Sequence, residues 1–504
     1  MGFLVPKRGI TQSAGIAVSV AVVAALGAAR LTAPLGMAQA GFLASATDPG
    51  HAHTDQPGLL LFYLAAARLL DGGEVAVHAL ELVILLTMSA VVALTLSRHL
   101  ENRWLAACAP LATVGIYYEI APPESLGGAG MLACVPVYFS LWLINADWST
   151  PRKRAGGYFL SGVCTAAAAL LHPVATAIPV LLIAISAIVA RTRHWNSIRS
   201  ILVQRLGPAV AGFSLPLVIF GFVSRAAFPP ANFLEAWRSP GAPPADLAFR
   251  FPQLDLFLVL AAIPWLMLGA VAVVRMRRRI WARPFWLMTL AWFAGAIAIW
   301  PGSMWLAAAP FGLLGLAGLD EAIVLLGERG VNVRLATAIL APVAILAPLP
   351  AMAVWAREVR KVPEAALTLD ATAGASYRVA TDEAYRYAFR DTRFLTRPDS
   401  ALGPVVVCGG PLHFLTLRRL APSRATWIEP PPARASAPWS RLKDSLERTG
   451  ASYLFLDQPT RARFLRDTTP ERAWFTGRYE LFAQSSAGAW YRPIASVQDM
   501  SRIF

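Results

Sequence analysis

The sequence is short of charge. Only 15% of its 504 residues are Asp, Glu, Lys or Arg, where soluble globular proteins carry about 25%, so a string of ordinary soluble domains is excluded. Cysteine is scarce too: Cys108, Cys134, Cys164 and Cys408 are the whole supply. That excludes a disulfide-stapled secreted fold, and no CxxC or Cys/His spacing offers a zinc site. What the chain has instead is apolar surface, with 56% hydrophobic residues and a mean hydropathy of +0.51. Disorder is thereby excluded, and a polytopic helical membrane protein remains.

The net charge of +15 comes from 45 basic and 30 acidic residues. It is spread evenly, with 23 basic and 15 acidic residues up to Trp355 and 22 and 15 after it. A nucleic-acid binder concentrates such charge in one patch on a soluble domain, so nucleic acid is not an expected partner. A membrane helix needs about 20 apolar residues. Eleven candidate spans fall near 13–31, 75–97, 104–118, 126–146, 157–171, 174–190, 206–224, 256–274, 284–300, 304–326 and 335–356. With the N-terminus inside, the inner loops hold 18 Lys and Arg, from Lys7 to Arg334, against five outside: Arg30, Arg68, Arg225, Arg238 and Arg250. Cytoplasmic loops carry the basic excess. The N-terminus is therefore expected in the cytoplasm of a cell inner (plasma) membrane. Residues 1–356 are the expected membrane domain, and 357–504 lie on the periplasmic or extracellular side.

Acidic residues collect at the other side: Asp48, Asp55, Asp71, Glu74, Glu119, Glu124, Glu235, Asp246 and Asp255 lie in or beside outer loops. Either they solvate those loops or they line an outward-facing site. The stretch Ala46–Asp71 carries most of the detail. Its apolar run Leu59–Leu70 has 12 residues, too few to span, and Pro57 and Gly58 break the chain ahead of it. A short interfacial helix is expected there, with Arg68 reaching for headgroups and the preceding loop held over a cavity. In that loop His51, His53 and Asp55 recur at every second position, so an extended chain points all three one way. They can hold a divalent metal, pass a proton between His and Asp, or simply make a polar loop.

The step Asp55-Gln56-Pro57-Gly58-Leu59 opening a short apolar helix resembles the GT-C glycosyltransferases, of the protein O-mannosyltransferase and aminoarabinose-transferase type. Pro122-Pro123-Glu124-Ser125 and the Leu170-Leu171-His172-Pro173 turn extend the resemblance. It implies transfer of a sugar from a polyprenyl-phosphate donor to a glycolipid, polysaccharide or protein acceptor at the outer face, without a required cofactor. An outer-loop acid is the general base for the acceptor hydroxyl, and cations steady the departing lipid phosphate. Catalytic candidates on this basis are Asp55 and Asp48, and substrate-binding candidates are Glu124, Glu119, His53 and His172. Arg238, in the Pro-rich loop 225–254 with Arg225 and Arg250, is a candidate phosphate clamp. The chain departs from the family at one place: the acid usual soon after the first span is missing, Ala38 and Gln39 standing there, with no acid between Leu31 and Thr47. Either Asp48 or Asp55 takes the role or the chemistry is lost, leaving a non-catalytic binder or scaffold; a transporter or flippase is the remaining alternative.

Two further features need placing. His78 and Glu81 share a face of the second span, and such residues either face a cavity or reach the interface. Asp320 and Glu321, near the inner end of the tenth span, receive no role in an outward site. After 357 the sequence alternates strand and helix signals, which suggests a small α/β domain. Strands are expected at Val405–Cys408, Thr426–Ile428 and Ser452–Leu456, helices at Pro411–Leu420, Trp439–Thr449 and Thr460–Asp467, and a closing hairpin at Tyr479–Gln484 and Gly488–Pro493. Cys408-Gly409-Gly410-Pro411 superficially resembles a phosphate loop but lacks its pattern, and is expected to be a turn.

Overall fold

A computed structural model of the chain describes residues 10–28, 37–47, 57–68, 74–120, 129–146, 148–194, 197–227, 267–275, 284–298, 304–346, 403–420, 425–430 and 439–494, with Leu31, Leu35, Trp265 and Thr392. The first part is helical: α1 (Ile10–Ala28), α2 (Met37–Thr47), α3 (Pro57–Arg68), α4 (Glu74–His99), α5 (Arg103–Ile120), α6 (Ala129–Asn145), α7 (Pro151–Leu171) and α8 (Ala177–His194). There follow α9 (Ile198–Ile201), a π-helical turn (Leu202–Leu206), α10 (Gly207–Ala227), a helical stretch at 267–275, α11 (Pro284–Ala298), α12 (Met304–Glu328) and α13 (Val333–Leu346). Among the described residues three helices are long and apolar enough to cross a membrane, Val75–His99, Ile198–Phe222 and Ala309–Glu328. The short apolar helix expected after Pro57 is present as α3. The loop before it is not all loop, because α2 occupies its first half.

Local chemistry accounts for the ends of these helices. Thr150 caps α7 by accepting from the Lys153 amide at 3.3 Å, and Pro151 fills the first turn, where no donor is needed. At the turn between α4 and α5, Asp320 of α12 accepts from the amides of Glu101 (2.7 Å) and Asn102 (2.9 Å), and the Asn102 side chain donates to Thr337 of α13 at 2.7 Å. Asp320 thus has a structural duty, consistent with the absence of a role in an outward site. α7 and α10 pack backbone to backbone: a Cβ at Gly162 would strike the Ala209 carbonyl, and one at Gly212 the Phe159 carbonyl. Small residues allow this approach, which is how helices associate in lipid. The opposite face of α10 is bare, with Val210, Val218, Ile219 and Phe222 exposed. The interior of the bundle is aromatic, Tyr138 lying edge-on to Trp292 at 5.0 Å and His99 stacked on Phe285 at 4.0 Å.

The last part is a five-stranded sheet in the order β2-β1-β3-β5-β4, from β1 (Val405–Cys408), β2 (Ala425–Ile428), β3 (Tyr453–Asp457), β4 (Tyr479–Gln484) and β5 (Gly488–Pro493). β1 pairs in parallel with β2 and β3, and the β4–β5 hairpin joins antiparallel to β3. The helices are α14 (Pro411–Leu420), α15 (Ser440–Thr449), α16 (Gln458–Arg466) and α17 (Pro470–Thr476). The run Val405-Val406-Val407-Cys408 is apolar throughout because both faces of β1 are covered. Val406 and Cys408 point into a core with Trp439, Leu446 and Phe464. Val405 and Val407 point into another with Phe414 and Trp427, which also includes Leu43, Ala44 and Tyr63 of the membrane part. Gly409 and Gly410 take left-handed φ of 70° and 67°, open to glycine at no steric cost. The Gly410 amide donates to Asp457, whose other oxygen caps α16 through Thr460. A carboxylate thus fills the place an anion would take, and the motif is the turn its sequence suggests.

Candidate functional site

The site forms where α2, α3, α4 and the end of α7 converge. α2 and α3 lie side by side, with Phe42 stacked on Tyr63 at 5.6 Å. The first turn of α3 rests on the last turn of α7: a Cβ at Gly58 would lie 2.8 Å from the Leu170 carbonyl. The structure therefore brings together two motifs far apart in the chain, the Asp-x-Pro step and the Leu-Leu-His-Pro turn. His172 terminates α7 with extended backbone, its amide donating to Ala168 and its carbonyl accepting from Ala175, and it is half-buried.

Beneath this junction lies a polar group that sequence reasoning only half found. The Gln39 amide of α2 donates to one Glu81 oxygen at 2.7 Å, and His78 Nδ1 meets the other at 2.8 Å. All three residues are buried, at 2%, 2% and 1% exposure respectively for Gln39, Glu81 and His78. The spacing of His78 and Glu81 gave them one face, and that face is buried among the helices. Gln39 entered the sequence reading only as a position where an acid was missing. Its pairing with Glu81 had one signal available, a polar residue in an otherwise apolar stretch. A buried carboxylate costs several kcal/mol unless its oxygens are bonded, and here both are.

α2 is in turn gripped by the sheet unit. Arg418 of α14 donates to the Thr47 carbonyl at 2.8 Å, and the Trp427 indole of β2 to Ser45 Oγ at 3.2 Å. Both contacts fall at the end of α2 from which the chain runs through Asp48 to α3. Asp48, His51, His53, Asp55, Glu124 and Arg238 lie outside the described residues, and Glu119 falls in the last turn of α5. Among the described residues no three His, Cys, Asp or Glu side chains group as metal ligands. A separate recess of about 290 Å³ is lined by apolar residues, among them Gly269, Val273, Leu290, Phe293, Phe311 and Leu314.

No family model and no curated protein matches the sequence. Solved structures do. ArnT from Cupriavidus metallidurans, bound to undecaprenyl phosphate, superposes with a TM-score of 0.56 at 13% identity, over 96% of this chain and 99% of ArnT. Its apo state gives 0.55 at 14% identity, over 96% and 98%. The arabinofuranosyltransferase AftD from Mycobacteria gives 0.51 at 16% identity, over 95% of this chain and 40% of AftD. Likeness to ArnT running the length of both chains at so low an identity is a likeness of fold, and by it the protein has the GT-C fold, as its short motifs implied.

Proposed function

We propose that the protein is an integral-membrane glycosyltransferase that moves a sugar from a polyprenyl-phosphate-linked donor to an acceptor at the outer face of the membrane. In this reading residues 1–356 form an eleven-span membrane domain with a cytoplasmic N-terminus, and 357–504 form an outer-face α/β domain over the site. The observation that carries the reading is the end-to-end likeness to ArnT, whose crystals hold undecaprenyl phosphate. The chemistry divides by side chain. A carboxylate takes the proton of the acceptor hydroxyl as its oxygen attacks the anomeric carbon, Asp55 and Asp48 being the sequence candidates. Glu119, Glu124 and His53 are the candidates to bind the sugar, and His172 and Arg238 the candidates to steady the phosphate that leaves.

The test compares envelope glycoconjugates by mass spectrometry in cells lacking the protein and in cells complemented with wild type, Asp55→Asn or Asp48→Asn. A sugar that vanishes on deletion and returns with wild type supports the transferase. If deletion changes no glycoconjugate, the transferase reading falls and a non-catalytic binder of lipid-linked sugar takes its place.

A further inference from the structure

We infer that Glu81, paired with His78, supplies the working carboxylate of the site, in place of Asp48 or Asp55. This rests on the transferase reading. Three observations carry it. First, Glu81 is an ionisable group buried to 2% exposure in a long apolar helix, where such groups are costly and mark function by default. Second, its carboxylate ties α2 to α4 through the side chains of Gln39 and His78, and neither bond closes a helix end. Asp320, a second buried acid among the described residues, does close one, by accepting from Glu101 and Asn102. Third, an imidazole 2.8 Å from a carboxylate is the partner that lets a pair hold and pass on a proton.

The step balances as follows. The acceptor oxygen forms a bond to the anomeric carbon while the bond from that carbon to the phosphate oxygen breaks, its electron pair leaving on the lipid phosphate. The acceptor proton ends on the Glu81–His78 pair and is then released. Enclosure keeps competing water from the base, and Gln39 holds the carboxylate toward α2, whose end at Thr47 opens the segment carrying Asp48 and Asp55.

The experiment is the same glycoconjugate profile in deletion cells, now complemented with Glu81→Gln and with the exchanged pair Gln39→Glu/Glu81→Gln. Membrane accumulation of each variant is measured alongside. Glu81→Gln is expected to lower transfer about 100-fold or more, the range for removing a general base. The exchanged pair returns a carboxylate to the same junction from the other helix and is expected to restore transfer at least in part. The inference is overturned if accumulated Glu81→Gln transfers normally, or if the exchanged pair accumulates and stays inactive. If Glu81→Gln alone fails to accumulate, the exchanged pair decides by the same criterion. Loss of both from the membrane assigns the trio to folding and also overturns the inference. Normal transfer by Glu81→Gln where deletion abolishes it would leave the transferase reading standing, whereas an unchanged profile on deletion would end both.

Discussion

The two ends of α4 each meet a buried carboxylate, and the two carboxylates are used differently. At the His99 end, Asp320 accepts from two backbone amides at the start of α5, donors that a helix leaves unsatisfied by construction. At the Glu74 end, Glu81 is held by an amide side chain and an imidazole. The first arrangement explains itself, since a buried N–H without a partner is expensive. The second ties α2 to α4 through side chains, where replacing a buried ion pair by well-packed apolar groups is often neutral or favourable. Burial of an acid thus does two jobs in one bundle: Asp320 meets backbone amides at a helix start, and Glu81 meets the side chains of Gln39 and His78 across two helices.

The comparison breaks most directly at Glu81. Glu81→Gln is expected to reduce sugar transfer per folded molecule about 100-fold or more, far beyond what any fall in the thermal midpoint in detergent accounts for. A midpoint that collapses with activity would make the two acids alike. Asp320→Asn should behave in the opposite way. It weakens hydrogen bonds to a charged acceptor, worth about 1.5–3 kcal/mol, so thermal unfolding shifts down while transfer per folded molecule is kept. Thr337→Val removes the Asn102 partner and the hydroxyl's own bond to the Val333 carbonyl, neutral bonds worth about 1 kcal/mol each, again with activity unchanged. The smallest effect is expected at Cys408. Burial, with Asp457 and Glu429 nearby, pushes its thiol well above the usual cysteine range. Thiolate is therefore scarce at pH 8, and maleimide labelling should be negligible until the protein is unfolded. Rapid labelling of the folded protein would show that a buried titratable group here is not silent by default.

Much of the helical layout was legible. The spans expected at 75–97 and 284–300 fall on helices, α4 and α11, with bounds within about two residues at each end, because long apolar runs leave few alternatives; of the two, α4 is long and apolar enough to cross a membrane. The helix at Pro411–Leu420 and the hairpin at Tyr479–Gln484 and Gly488–Pro493 match their bounds. α2 was not legible: Met37–Thr47 is short and its small and apolar residues show no period that separates helix from loop. α17 was missed for its seven residues, although Thr469 ahead of Pro470 is a helix-start signal. The site was half legible. His78 and Glu81 follow from a spacing of three, but Gln39 is 42 residues from Glu81, and only the packing of α2 on α4 brings it there. The meeting of Gly58 with Leu170 was likewise invisible, since each motif read alone says nothing of the other.

The apolar core shared by α2, α3 and the sheet has a consequence for biogenesis. Leu43 and Ala44 of α2 are covered by residues as late in the chain as Trp427 and Trp490, and Arg418 closes on the Thr47 carbonyl. Chains are made and folded from the N-terminus, so α2 waits for most of the polypeptide before its cover arrives. Throughout that interval an apolar surface stands open, a natural landing place for a membrane chaperone, and α2 is held in place beside Glu81 only after Arg418 and Trp427 have been made.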